Sequence, residues 1–197
     1  MKIFIKSLCG AAVICILFTL IPFNAQCENV SRGVFRLHIL ANSDSNVDQS
    51  LKLKVRDRVL EYTKSLYKNA ECLDDAEELS AEKLQAIADA AKSEVERNGY
   101  DYPVKAEIKR MYFDTRYYGK VTMPPGFYNA LRITIGSGSG HNWWCVMYPS
   151  MCVGASLDYN ALKENSTDEE YRLLTGGENE FKFKIVEYFE KICSLFS

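Results

Sequence analysis

Histidine is scarce in this chain, with two in 197 residues. His38 and His141 lie far apart and neither stands in a His-Glu-x-x-His pair, while the seven cysteines include no Cys-x-x-Cys. The usual zinc spacings are therefore missing, and no metal or cofactor is expected. A Gly-x-Ser-x-Gly elbow is missing too, so a hydrolase would have to be built from Cys145 with His38 or His141. His38 reads as an outward strand residue and His141 as a loop residue. The run Gly136-x-Gly138-x-Gly140 leads into a strand, so it lacks the helix N-terminus that would hold a phosphate. Nor is there an excess of basic charge. With 24 basic against 26 acidic residues the formal charge is −2, which argues against bulk binding to nucleic acid. Proline is rare, at five residues, and two of these mark one turn at Pro124-Pro125. No repeat or low-complexity block interrupts the chain.

What is present begins with a leader. Lys2 and Lys6 precede an apolar run from Leu8 to Phe23, and no charge intervenes between Lys6 and Glu28. This is the pattern of a secretory signal. As helix the run spans about 24 Å against a hydrocarbon core of about 30 Å, which favours removal over a permanent span. Ala25 and Cys27 supply a small-x-small site. Residues 1–27 are thus expected to be a signal peptide or membrane anchor, and 28–197 a single exported domain. Cys9 and Cys15 leave with the leader, and a cut after Cys27 retains Cys72, Cys145, Cys152 and Cys193, an even set in a compartment that permits disulfides.

The stretch from Gly136 to Cys152 holds both tryptophans. Before it, Leu131, Ile133 and Ile135 alternate with Ala130, Arg132 and Thr134 as a half-buried strand. The glycines then turn the chain, and Asn142 to Tyr148 is expected to pair back on that strand as a hairpin. Pro149 ends it. A continuous strand would hold Cys145 and Cys152 roughly 23 Å apart, so only a reversal at Tyr148-Pro149-Ser150-Met151 could join them. Such a bridge would stabilise by roughly 2.5 kcal/mol. Cys72, in an acidic linker, and Cys193, on a helical pattern, read as buried or unpaired thiols. Trp143 and Trp144 are consecutive on a strand and point to opposite faces, so one can be core while the other is exposed or covered. Beside a locked turn, an exposed tryptophan would anchor an interface.

The remaining chain is patterned throughout. Phe35, Leu37 and Ile39 mark a first strand over 34–41. After Asn42-Ser43-Asp44-Ser45-Asn46, residues Val47, Leu51, Val55, Val59, Tyr62 and Leu66 form one helical face, with Ser45 or Asn46 as N-cap and Asp48 in the first turn. Its other surface, with Lys52, Lys54, Arg56 and Arg58, reads as solvated charge. The Asp44-x-Asn46-x-Asp48 spacing is that of a calcium loop, but Gln49 and Val55 stand where the glycine and bidentate glutamate belong. Residues 70–79 read as a linker. A second helix capped by Ser80 carries Leu84, Ile87, Ala91 and Val95 and stops at Asn98-Gly99. A strand opens after Pro103, a tyrosine-rich excursion follows over 112–127, and Phe181, Ile185, Phe189, Ile192 and Phe196 mark a closing helix expected on the sheet. The order β-α-α-β-β-β-α predicts an α+β domain with a mainly antiparallel sheet covered by helices.

Three blocks then carry a resemblance: Arg36 to Asp57 (RLHILANSDSNVDQSLKLKVRD), Thr122 to Ile135 (TMPPGFYNALRITI), and Gly136 to Cys152 with its Asn-Trp-Trp-Cys core. Together they resemble the stage II sporulation protein R family of endospore-forming bacteria, with Ser150 departing from an expected second proline. The resemblance implies a signalling protein that is no protease itself. It would be exported from the forespore into the space between forespore and mother-cell membranes, touching membrane only through its leader or partner. There it would activate the membrane-embedded protease that processes pro-sigma-E. Partner-binding residues are expected at Asn42, Ser43, Asp44 and Asp48, and at Asn142, Trp143 and Trp144, as two surfaces, the second beside a Cys145–Cys152 bridge. The other reading from the residues is an exported cell-wall hydrolase working through paired carboxylates.

Overall fold

A computed structural model describes residues 2–149, 152–153, 156–157, 159–164 and 166–193. The fold is α+β with mostly antiparallel pairing. The contacts define two compact units. One, the sheet unit, comprises Arg32–Met111 and Tyr128–Ser166, and the other Met1–Ser31, Tyr112–Phe127 and Thr167–Ser197.

In the sheet unit, β1 (Phe35–Leu40) is followed by α2 (Asn46–Leu66), α3 (Leu73–Glu82), α4 (Leu84–Arg97) and β2 (Val104–Phe113), and the chain returns through β5 (Gly126–Ile135) and β6 (Asn142–Tyr148). The strands are ordered β2-β5-β1-β6. The strand β1 therefore lies inside, parallel to β5 and antiparallel to β6. The parallel pair is the one joined by the long helical crossover, which such a pair requires. All six residues of β1 are buried. The expected β5–β6 hairpin does not form, because β1 is inserted between them and takes the hydrogen bonds of both. Both faces of β1 are covered, Phe35, Leu37 and Ile39 on one and Arg36, His38 and Leu40 on the other, as an interior strand requires.

One face of the sheet meets the helices. Phe35, Leu37, Ile39, Leu131, Ile133, Ile135, Cys145 and Met147 share a core with Leu51, Val55 and Val59 of α2 and Ile87, Ala91 and Val95 of α4. The α2 N-cap is Ser45, as its position suggests, and its hydroxyl accepts from the Asp48 N–H at 3.2 Å. The acidic stretch over 70–79 is mostly helix rather than linker. Asp75 of the first turn of α3 accepts from the N–H groups of Glu71 (2.8 Å) and Cys72 (3.2 Å), which satisfies donors the helix leaves open. Ser80 is no cap. It lies buried within α3, donates to the Ala76 carbonyl at 2.7 Å, and its hydroxyl meets that of Tyr67 at 2.5 Å. The helix α4 ends as expected, with Gly99 at φ +83°.

The second unit contains α1 (Lys2–Arg32), the hairpin of β3 (Arg116–Tyr118) and β4 (Val121–Met123), and the helices α6 (Asp168–Thr175) and α7 (Glu180–Cys193). Between the sheet strand β6 and α6 lie the short pair β7 (Cys152–Val153) and β8 (Ser156–Leu157) and the helix α5 (Tyr159–Glu164). The closing helix was expected to bury Phe181 against the sheet, yet Phe181 is 75% exposed and α7 groups with the second unit instead. Among its described side chains, Phe183, Val186 and Glu187 are buried. Glu187 selects that face. Burial alone would raise its pKa, but Lys184 (2.8 Å), Lys191 (3.0 Å) and Thr115 (3.1 Å) hydrogen-bond the carboxylate and hold it down at about 2.

The insertion of β1 is testable in denaturant. Ile39→Ala should cost roughly 2–5 kcal/mol, seen as a lower urea midpoint with an unchanged slope. A loss under about 0.5 kcal/mol, the size usual for surface changes, would place Ile39 outside the core.

Candidate functional site

Because β1 separates β5 from β6, the segment from Gly136 to His141 must pass over the C-terminal end of β1. It therefore meets the residues that leave β1, and the two surfaces expected from sequence become one. The crossing is close. A Cβ on Gly136 would lie 2.2 Å from Asn42 Oδ1, and one on Gly140 would lie 2.2 Å from the Ser43 carbonyl oxygen. Gly136 and Gly138 also take φ of +58° and +64°, which side chains rarely tolerate. The glycines serve close approach as well as turning.

Asn42 is the hub of the crossing. Its Oδ1 accepts from the Ser137 N–H at 3.0 Å, and its carbonyl accepts from the hydroxyls of Ser137 (2.6 Å) and Ser139 (2.7 Å). Its Nδ2 donates to Asp48 Oδ2 at 2.9 Å, and the Ser43 hydroxyl donates to the same oxygen at 2.5 Å. Further along, the Gly140 N–H donates to the Ala41 carbonyl at 3.0 Å and the His141 N–H to Asp44 Oδ1 at 2.6 Å. The His141 ring also contacts that carboxylate through Nδ1. From α2, the Lys52 ammonium reaches the His141 carbonyl at 2.8 Å and Gln49 Oε1 at 2.5 Å, and the Gln49 amide donates to the Ser43 carbonyl at 2.9 Å. One loop, one crossing segment and the first turns of one helix are thus cross-linked.

The charges follow from these contacts. The Ser43 hydroxyl, then Asn42, Tyr102 and Ser45, hold the buried Asp48 below the ordinary carboxylate range, against burial that would raise it. Asp44 is likewise lowered, chiefly by the His141 N–H and then by its ring. Burial lowers Lys52, and Asp44 partly offsets this. Both carboxylates of the calcium-like spacing are engaged by donors. Among the described residues no cluster of three or more His, Cys, Asp or Glu converges as a metal site.

Lys52 and Arg56 do not belong to a solvated face. Both are buried, Lys52 to tie down the crossing segment and Arg56 to lay its guanidinium 4.4 Å over the Trp143 ring. Arg56 also pairs with Asp57 at 2.7 Å. The tryptophans do point to opposite faces. Trp143 is half-buried against the helix-side core, and Trp144 is half-buried on the other face, stacked on His38 with centroids 3.8 Å apart and planes at 2°. His38 is 3% exposed rather than outward, flanked in register by Arg132 and Trp144. Both tryptophan rings are thus engaged while remaining partly accessible. Exposed here are Asp44, Ser45 and Asn46 of the loop, Ser137, Ser139 and His141 of the crossing, and Asn142, with Val47 beside them on α2.

Asn42, Ser43, Asp44, Asp48 and Asn142 therefore come together, while the tryptophans brace the strand behind them. Sequence reasoning missed Ser137, Ser139, His141, Lys52 and Arg56. Alternating Gly-Ser after a strand was a legible signal for a segment held by hydroxyls. The burial of Lys52 and Arg56 had none. Cys145 is buried on β6, while the Cys152 side chain and the expected reversal at Ser150-Met151 lie outside the described residues. Cys72 is free and exposed, and Cys193 has its side chain outside the described ones.

A family model described as Stage II sporulation protein R matches residues 31–157. The chain is also 37% identical over 134 residues to the stage II sporulation protein R of Bacillus subtilis (strain 168), covering 68% of this chain and 60% of that protein. No solved structure matches it.

Acid unfolding tests the Asp48 contacts. A carboxylate lowered in the folded state contributes stability that is present above its unfolded pKa, about 3.9, and is lost as pH falls through the folded value. Stability should hold above about pH 5 and fall below about pH 4, and Asp48→Asn should flatten part of that limb, with Glu187 supplying another part. An identical acid limb in Asp48→Asn would mean the contacts do not persist in solution. Gly140→Ala, at a backbone approach of 2.2 Å, should cost more than 1 kcal/mol.

Proposed function

The chain belongs to the stage II sporulation protein R family, and on that premise we propose that it is an exported signalling protein. It activates a membrane-embedded sporulation protease from the extracytoplasmic side, and that protease then processes pro-sigma-E. The matched region spans 60% of the Bacillus subtilis relative, so the activity and the partner are the reading offered here. The observation that carries it is the cross-linked loop pair. Its interior bonds freeze the backbone, while Asp44, His141 and Asn142 keep exposed polar groups beyond what the interior uses. A surface ordered before it meets a partner loses less conformational entropy on binding, and loops held by a scaffold commonly carry recognition. Beside it lies a cleft of about 320 Å³ between the start of α2 and the end of α4, lined by Val47, Leu51, Lys54 and Tyr100 among others.

A Cys145–Cys152 disulfide is part of the proposal. It is supported by the contact between β7, which begins at Cys152, and β6, which carries Cys145. Mass spectrometry of unreduced peptides should find the two joined in protein from the intermembrane space. Finding both freely alkylated would remove the bridge.

The signalling reading predicts that activity and stability separate at this surface. Asn142→Ala should keep near-normal melting and secreted level while losing processing of pro-sigma-E, and Asp44→Ala, which also removes the acceptor of the His141 N–H, should lose processing with only a small loss of stability. Trp144→Ala should lose stability together with processing, because it strips the cover from His38. If every change merely tracked stability, or if purified protein processed pro-sigma-E without the membrane protease or degraded peptidoglycan, the reading would be wrong.

A further inference from the structure

The last turns of α1 read differently from its apolar centre. Phe23, Cys27, Val30 and Ser31 are 5%, 2%, 4% and 7% exposed. Their spacing of four, three and one puts them on one helical face. Asn24, Ala25, Gln26, Glu28 and Asn29 alternate with them and are not buried. The Phe23 ring lies 5.2 Å from that of Phe183 on α7, tilted by 42°, and the Lys182 ammonium sits 5.3 Å from the Phe23 centroid. Gln26 Nε2 donates to Glu169 Oε1 of α6 at 2.5 Å. Phe183 itself is fully buried. Further toward the N-terminus, Phe4, Leu8, Phe18 and Ile21 are 61–74% exposed.

The small-x-small site at Ala25 and Cys27 therefore lies within a continuous helix, Lys2–Arg32, on a stretch whose buried stripe matches a partner surface on α6 and α7. Proteolysis favours exposed, loosely bonded chain, and a cut there would uncover Phe183. A leader discarded after export needs only an apolar run and small residues at the cut. The amphipathic stripe over 23–31 exceeds that requirement. Apart from Ser31, neither side of the contact falls within the family match over residues 31–157, so the feature stands on this chain's own packing.

We propose that residues 23–31 are a structural element of the exported protein, docked on α6 and α7, and that no maturation cut is made at Ala25 to Cys27. The claim is independent of the signalling role. It can fail while the partner surface on the sheet unit stands, and the reverse holds too.

Full-chain protein carrying a C-terminal tag, expressed in an exporting host, provides the test. Its N-terminus should fall at or before Phe23. Any mature chain starting beyond Phe23 would overturn the proposal. Alkylation gives a readout independent of the host's processing, because Cys27 is a buried free thiol and Cys72 an exposed one. Burial raises the Cys27 pKa to about 12, which lowers its thiolate fraction as well as its access. Cys27 should react at least about 100-fold more slowly than Cys72 in the folded full chain. Phe23→Ala should speed Cys27 alkylation about 10-fold or more while leaving Cys72 unchanged, and Phe18→Ala, at an exposed position of the same helix, should change neither. Equal rates at Cys27 and Cys72, or equal effects of the two alanine changes, would show that the stretch is not docked.

Discussion

The structure turns on one crossing. A strand buried on both faces, β1, is placed between β5 and β6, and the six residues from Gly136 to His141 must then clear its end. Asn42, two residues past the end of β1, holds them there with its amide and its own carbonyl. Each of these bonds is worth about 1 kcal/mol alone, but they act on the same few residues, and Asn42 is itself fixed by donating to Asp48. Removing the Asn42 side chain would leave the Ser137 N–H without its acceptor and take a donor from Asp48, and an unmade bond costs more than a made one contributes.

From that crossing the other features of the sheet unit follow. The glycines at 136 and 140 permit an approach that any side chain would block. Lys52 and Arg56 are drawn inward from α2, one to the crossing carbonyl and one to the Trp143 face. Burying Lys52 costs desolvation, seen in its lowered pKa, and its hydrogen bonds to His141 and Gln49 compensate. Trp144 and His38 close the opposite face by stacking. The exposed groups are thus mounted on a frame braced from both sides of the sheet.

Much of this frame was legible. The alternation in 35–40, the α2 stripe, the Ser45 cap and the stop at Gly99 all rest on local periodicity and capping chemistry. The grouping of Asn42 with Asp48 was visible too, since both flank one turn. The crossing was not, because local pattern is silent on which strands pair. Asn142–Tyr148 is as good a hairpin partner for Tyr128–Ile135 in sequence as it is a neighbour for β1 in space, and only the burial demand of β1 decides. The same limit explains the closing helix. Phe181 and Ile185 suit a stripe as well as Phe183 and Val186 do, and the carboxylate of Glu187, held by Thr115 and two lysines, selects the second. Lys52 and Arg56 were misread for another reason: a long cationic side chain looks solvated until a carbonyl or an aromatic face lies within its reach.

The central claim is that the Asn42–Asp48 loop and the Gly136–His141 crossing form one rigid surface before any partner arrives. Native-state hydrogen exchange addresses it directly. The Ser137, Gly140 and His141 amides donate to Asn42, Ala41 and Asp44, so they should exchange only through openings nearly as costly as those that release the β1 amides. Exchange of these three amides at the rate of an open glycine-serine loop, with β1 still protected, would contradict the account.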